Sequence, residues 1–154
     1  MTITFIGLDP GKSGAIAIHS TVLHGTWDWI KLTETEHDIA RFMQGWSPQS
    51  CFAYLERVAS RPGQGVSSTF KFGQNYGFLR GLLCACGIPF EDVTPGIWQP
   101  AMGVRSIKGE SKTDHKRRLK SRAQQLHPYL DITNANADAV LLAHYCRVKR
   151  EAAT

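Results

Sequence analysis

The stretch Ile3-Thr4-Phe5-Ile6-Gly7-Leu8-Asp9-Pro10-Gly11-Lys12-Ser13-Gly14-Ala15-Ile16-Ala17-Ile18 decides the fold. Ile3 to Leu8 is a short apolar run rich in strand formers, and Asp9-Pro10-Gly11 stops it with strong turn chemistry. Ala15 to Ile18 reads as a second strand. Val22 to Ile30, with Gly25 between, reads as a third, so an antiparallel meander follows the first strand. Further on, Glu34 to Met43 has helical spacing and Ser47-Pro48 closes it. Cys51 to Leu55 is apolar on both alternating faces, as a central strand covered on both sides must be, and it ends at Glu56.

A long helix is expected from Val66 to Cys86, after the Pro62-Gly63-Gln64-Gly65 loop and before Gly87 at its C-terminus. Gly73, Gly77 and Gly81 form a smooth stripe along it, suited to close approach of a sheet or another helix. Ile88 to Val93 is a fifth strand. Thr94 and Pro95 cap and open a short helix through Trp98. A basic helix runs from about Thr113 to Leu126, ended by Pro128, and a last apolar helix from about Asn134 to Val148. The element order predicts an α/β domain over residues 1–154: a mixed five-stranded sheet flanked by helices. Asp9 and Glu56 fall at the carboxyl ends of its strands, where sites form in open α/β sheets.

The chain has 154 residues, 42% hydrophobic and 20% charged, an ordinary globular composition. No apolar run approaches the roughly 18 residues that a membrane span needs. The N-terminus lacks the basic segment of a secretory signal, so a soluble, cytoplasmic protein is expected. Cys51, Cys84, Cys86 and Cys146 sit in apolar runs without paired spacing and read as reduced core thiols, not as a disulfide framework or a zinc module.

The charge is uneven. The net is +5, yet the segment Arg105 to Arg122 carries eight basic and two acidic residues, a net of +6. Such a concentration in a small domain points to a polyanionic partner, most often nucleic acid. Arg105, Lys108, Lys112, Lys116, Arg117 and Lys120 are the candidate phosphate contacts.

The third acid follows from helical spacing. Positions 138, 141, 142 and 145 share one face, so Asp138 points with Leu141, Leu142 and Tyr145 toward the sheet. Singly, each acid has an ordinary explanation: a turn residue, an ion-pair partner, a helix N-terminal charge. Together, acids that end two strands and open an inward helix face suit a hard cation such as Mg²⁺ or Mn²⁺ held by oxygen. Beside a +6 segment the matching chemistry is phosphodiester hydrolysis.

In order and spacing, Ile6-Gly7-Leu8-Asp9-Pro10-Gly11, Tyr54-Leu55-Glu56, Phe70-Lys71-Phe72-Gly73-Gln74-Asn75-Tyr76-Gly77 and Ala137-Asp138-Ala139-Val140-Leu141-Leu142-Ala143 resemble the RuvC-type Holliday junction resolvases, above all the short phage- and prophage-carried members. The resemblance implies a ribonuclease H-like fold and a homodimer that cuts four-way DNA junctions with Mg²⁺ or Mn²⁺, in the cytoplasm of a bacterial or phage-infected cell. It assigns Asp9, Glu56 and Asp138 to the metal. It also implies a lysine before the last helix; Lys112 is the match, and its spacing to Leu119 and Leu126 points it inward. Many relatives carry a fourth ligand three or four residues before the last acid, where this chain has Ala135 and Asn134. On a helix, Asn134 shares the face of Asp138 and Asn136 does not, so Asn134 is the candidate, with Asp131 the competitor.

Other readings fit less well. Gly11-Lys12-Ser13 lacks the first glycine of a phosphate-binding P-loop. A sugar-kinase-like or actin-like ATPase opens with a similar strand and turn but needs a second domain of similar size. A structure-specific DNA-binding protein without catalysis is the remaining alternative, and a missing fourth ligand is the route by which it would arise.

Overall fold

A computed structural model describes residues 1, 3–22, 25–46 and 48–154. Five strands form one sheet: β1 (Thr4–Leu8), β2 (Ala15–Ser20), β3 (Thr26–Lys31), β4 (Cys51–Glu56) and β5 (Phe90–Val93), in the order β3-β2-β1-β4-β5. β1–β2 and β2–β3 pair antiparallel, whereas β1–β4 and β4–β5 pair parallel. The helices are α1 (Glu36–Gln44), α2 (Val66–Ala85), α3 (Pro95–Ala101), α4 (Lys112–Leu126) and α5 (Ala137–Ala152). This is the mixed, helix-flanked sheet expected from the sequence.

Strand alternation divides the core into two layers. Phe5, Ala15, Ala17, Phe52 and Tyr54 face α3, α4 and α5, with Trp98, Leu119, Leu141 and Leu142 in the same layer. Ile6, Leu8, Ile16, Ile18, Ala53 and Leu55 face the other way, onto Ile39 and Met43 of α1 and Leu79 and Leu83 of α2. The three strands β1, β2 and β4 are therefore covered on both sides, which explains their unbroken apolar runs. Local chemistry sets the helix starts. The Thr35 hydroxyl accepts from the Asp38 N–H at 3.1 Å, and Ser111 does the same for Asp114 at 3.0 Å.

Several boundaries differ from the sequence reading. β3 starts at Thr26, directly after Gly25, whose φ of +75 is not a strand conformation. Leu23 and His24 of the predicted third strand, and Ser47 of the predicted helix stop, lie outside the described residues. α3 runs past Trp98 to Ala101. α5 begins at Ala137, not Asn134. There the Thr133 hydroxyl accepts from the N–H groups of Ala135 and Asn136, while the Asn136 amide accepts from the Thr133 N–H at 2.8 Å and donates to the Asp131 carbonyl at 3.0 Å. These local bonds hold residues 134–136 in a turn and delay the helix. All four cysteines are free, but only Cys51 and Cys146 are core residues; Cys84 is exposed, because it lies on the outer face of α2.

A side chain on Gly73, Gly77 or Gly81 would meet nothing within 4 Å, so that stripe does not pack on the sheet of its own chain. Gly7 is the opposite case. A Cβ there would lie 2.1 Å from the Ala139 carbonyl oxygen and 2.4 Å from the Ala143 nitrogen. α5 rests directly on the backbone of β1, and no helix backbone can yield to a methyl group at that distance. Gly7→Ala is expected to destabilise the fold by about 3 kcal/mol or more, at or beyond the upper end of overpacking costs. A urea-unfolding midpoint close to that of the unaltered protein would contradict this contact.

Candidate active site

Strand geometry brings the first two acids together. Gly7 and Tyr54 are register partners in the parallel pair β1–β4. Asp9 lies two residues beyond Gly7 and Glu56 two beyond Tyr54, so both carboxylates emerge side by side on the α5 face. Asp138 arrives from above, in the first turn of the helix that Gly7 admits. It is buried with Leu141, Leu142 and Tyr145, as helical spacing predicts. The three acids line one open cleft of about 940 Å³, together with Lys12, Ser13, Phe72, Lys112, Lys116, Arg117, Lys120 and Asn134.

Each acid is held differently. Asp9 Oδ1 accepts from the Gly11 N–H at 3.0 Å, a bond within the Asp-Pro-Gly turn. Glu56 Oε2 accepts from the Trp98 indole N–H at 2.8 Å. Asp138 Oδ2 accepts from Lys116 Nζ at 3.2 Å, whereas Asp138 Oδ1 is buried with no hydrogen-bond partner among the described residues. Burial, then the Asp138 charge, pushes the Asp9 carboxyl up to about 6 despite the Gly11 N–H and Lys116. Burial, then the charges of Asp9 and Asp138, pushes Glu56 up to about 8. Burial alone would lower Lys116, but the charges of Asp138, Asp9 and Glu56 outweigh it and raise its affinity for a proton. One ammonium thus faces three mutually repelling carboxylates.

Among the described residues, no three His, Cys, Asp or Glu side chains are gathered tightly enough to hold a metal ion as they stand. The donor set nonetheless fits a hard cation. All its donors are oxygen, and an orphaned carboxylate oxygen beside two further carboxyl groups is the feature that a divalent ion would satisfy.

Among the described residues the lysine that pairs with one of the acids is Lys116, while the predicted Lys112 lines the same cleft without such a pair. Lys112 is the first residue of α4, where the side chain leans back beyond the helix end, so it is exposed at the rim of the cleft and makes no hydrogen bond or ion pair among the described residues. Lys116 lies one turn deeper. Its spacing to Leu119 and Ala123, three and seven residues on, is the pattern that would have identified it. Asn134 also reaches the cleft, but from the turn before α5 and not from a shared helix face. Asp131 is exposed and outside the cleft lining, and its carbonyl is taken by Asn136.

The basic segment divides into contacts and braces. Lys112, Lys116, Arg117 and Lys120 line the cleft, and Arg105 lines the adjoining depression beneath α3. Lys108 lies on an exposed turn outside both. Arg118 is spent on Glu110 and the Arg105 carbonyl, and Arg122 on the Met102 carbonyl, so these two hold the α3–α4 loop in place. Sequence reasoning missed Arg57 and Arg61, which line a further depression next to Glu56. It also missed Trp98 as a partner of Glu56, because nothing in the spacing ties residue 98 to residue 56.

No family sequence model matches the chain, and no curated protein matches it by sequence. Solved structures do match. A Thermus thermophilus RuvC in complex with a Holliday junction substrate is similar at a TM-score of 0.58 and 12% identity, covering 97% of this chain and 96% of that one. A second Thermus thermophilus RuvC structure is similar at 0.56 and 13% identity, covering 99% and 98%. At this identity the likeness establishes architecture: the chain has the RuvC type of ribonuclease H-like fold over nearly its whole length.

Proposed function

We propose that the protein is a metal-dependent, structure-specific endonuclease that resolves four-way or other branched DNA junctions by phosphodiester hydrolysis. One observation carries this reading: Asp9, Glu56 and Asp138 converge with Lys116 in a single open cleft whose opposite wall is the basic helix α4. The junction-bound RuvC of the same fold supports the substrate. Asp9, Glu56 and Asp138 would hold Mg²⁺ or Mn²⁺, with the Asn134 amide as the neutral fourth donor. Bound there, the cation would supply charge neutralisation for phosphodiester hydrolysis. The protein's own groups do the rest. Lys112, Arg117 and Lys120 bind strand phosphates along the rim, with Arg105 and Lys108 extending the positive surface beyond it. Lys116 screens Asp138 and stands ready to meet phosphate charge.

Symmetric cuts require two sites related by a dyad, so the protein acts as a homodimer. The outer face of α2 supports this. Val66 is 88% exposed, Phe70 is 68% exposed, and the Gly73, Gly77 and Gly81 stripe is open. Light scattering is expected to give twice the chain mass with or without junction DNA; a monomer in both conditions refutes the dimer.

Asp138→Asn removes charge without changing shape, so it should abolish cleavage of a synthetic four-way junction while binding stays salt-sensitive and within a few-fold of the unaltered protein. Parallel loss of both would remove the catalytic role, and binding without cleavage by the unaltered protein would favour a non-catalytic DNA-binding module. In the same assay, Asn134→Asp should lower the Mg²⁺ concentration needed for half-maximal rate. An unchanged titration takes Asn134 out of the site.

The acid cluster also predicts a pH effect on the metal-free protein. Glu56 is raised from 4.5 to about 8, so the stability it contributes is complete below 4.5 and lost as pH rises through about 8. His19 and His127, pushed down to about 4 chiefly by burial, act at the acid end and in the opposite sense. Comparison with Glu56→Gln isolates the carboxylate: the variant's melting temperature should match the unaltered protein in acid and exceed it by a few degrees at the alkaline end, at about 2–4 °C per kcal/mol. A difference that shrinks with rising pH would reverse the sign and refute the assignment.

A further inference from the structure

Glu56 ends β4 with a neutral donor on one side only. The Trp98 indole N–H donates to Oε2 at 2.8 Å, and Oε1 accepts no hydrogen bond among the described residues. Trp98 is fully buried, in the core layer with Val93, Met102, Val104 and Leu119. The bond has a fixed sense, because an indole N–H donates only and does not titrate. A buried indole without an acceptor would be costly, so the bond also secures Trp98.

The donor sits on a braced element. Thr94 and Pro95 open α3, and the backbone N–H of Trp98 donates to the Thr94 carbonyl at 3.2 Å. Gln99 meets the His115 ring of α4 at 3.2 Å, and Arg122 of α4 donates to the Met102 carbonyl at 2.8 Å. α3 is therefore clamped between the end of β5 and the helix that lines the cleft. A carboxylate at a strand end has three side-chain torsions to settle, and one rigid donor on one oxygen removes most of that freedom.

We propose that Trp98 is a positioning residue: it holds Glu56 through Oε2 and leaves Oε1 to face the cleft. This rests on the nuclease reading of the cleft. Partners that orient a ligating carboxylate typically matter by about 10- to 100-fold in metal affinity or activity. The gain comes from orientation, so it should appear in turnover and metal demand and not in DNA affinity.

The test has two arms. In the first, ¹⁵N-labelled protein without metal gives indole resonances from its four tryptophans, and Trp98→Phe identifies that of residue 98. Glu56→Gln leaves the core untouched and is expected to shift this resonance more than any other indole. An unmoved Trp98 resonance overturns the proposal without bearing on the nuclease reading. In the second arm, Trp98→Phe is expected to lower kcat about 10-fold or more, with KM for the junction and metal-free junction binding within about twofold. On a Glu56→Gln background the same substitution should add little further loss. Full additivity of the two substitutions, or an unchanged kcat in a folded Trp98→Phe protein, overturns the proposal. Absence of cleavage by the unaltered protein overturns the nuclease reading and this proposal's catalytic half, and the resonance arm still reports on the bond.

Discussion

The contact between Gly7 and α5 is the constraint on which the candidate site depends. The helix backbone sits so close to β1 that a single methyl group would lie 2.1 Å from a carbonyl oxygen. That closeness sets the height of α5 above the sheet. It places Asp138, in the first helical turn, over the strand ends that carry Asp9 and Glu56. With a bulkier residue at position 7 the two strand acids would still be adjacent, because register alone dictates that, but the third would be lifted away. Packing at a position with no chemistry of its own thus determines whether chemistry is available two residues further along.

The price of this arrangement is electrostatic. Three poorly solvated carboxyl groups share one cleft, and burial, then their mutual repulsion, raises the proton affinities of Asp9 and Glu56. A structure built for stability alone would pair or expose these groups. Here Lys116 answers one oxygen of Asp138, the Gly11 N–H one oxygen of Asp9 and the Trp98 N–H one oxygen of Glu56. Each acid keeps its other oxygen free of a bond to these partners, and that of Asp138 is buried. That unused acceptor capacity is what the proposed cation would take up.

The α4 segment shows how one stretch of charge serves two ends. Its net charge suggests a single role, yet Arg118 and Arg122 are consumed in holding the α3–α4 loop, while Lys112, Lys120 and Arg117, the last paired with the exposed Asp114 at 3.0 Å, remain at the cleft rim. Guanidinium groups, with several donors in a fixed fork, are the ones that brace carbonyls and a carboxylate. Charge counting is blind to this division, because it depends on which acceptors the folded chain brings within reach.

The sequence by itself determined the order of strands and helices along the chain, the two-sided burial of β4, and the placement of Asp9, Glu56 and Asp138 at strand ends and on an inward helix face. All of these follow from local periodicity, since alternation and helical spacing operate within a few residues. Only the tertiary structure decided which lysine meets the acids, where α5 begins, and what holds Glu56. Lys116 meets Asp138 because it lies one turn into α4, and Asn134 left the helix because Thr133 and Asn136 bond the preceding turn to themselves. The Trp98–Glu56 bond joins residues 42 positions apart in different elements. Contacts of that kind depend on how layers dock, and no spacing within either element records them.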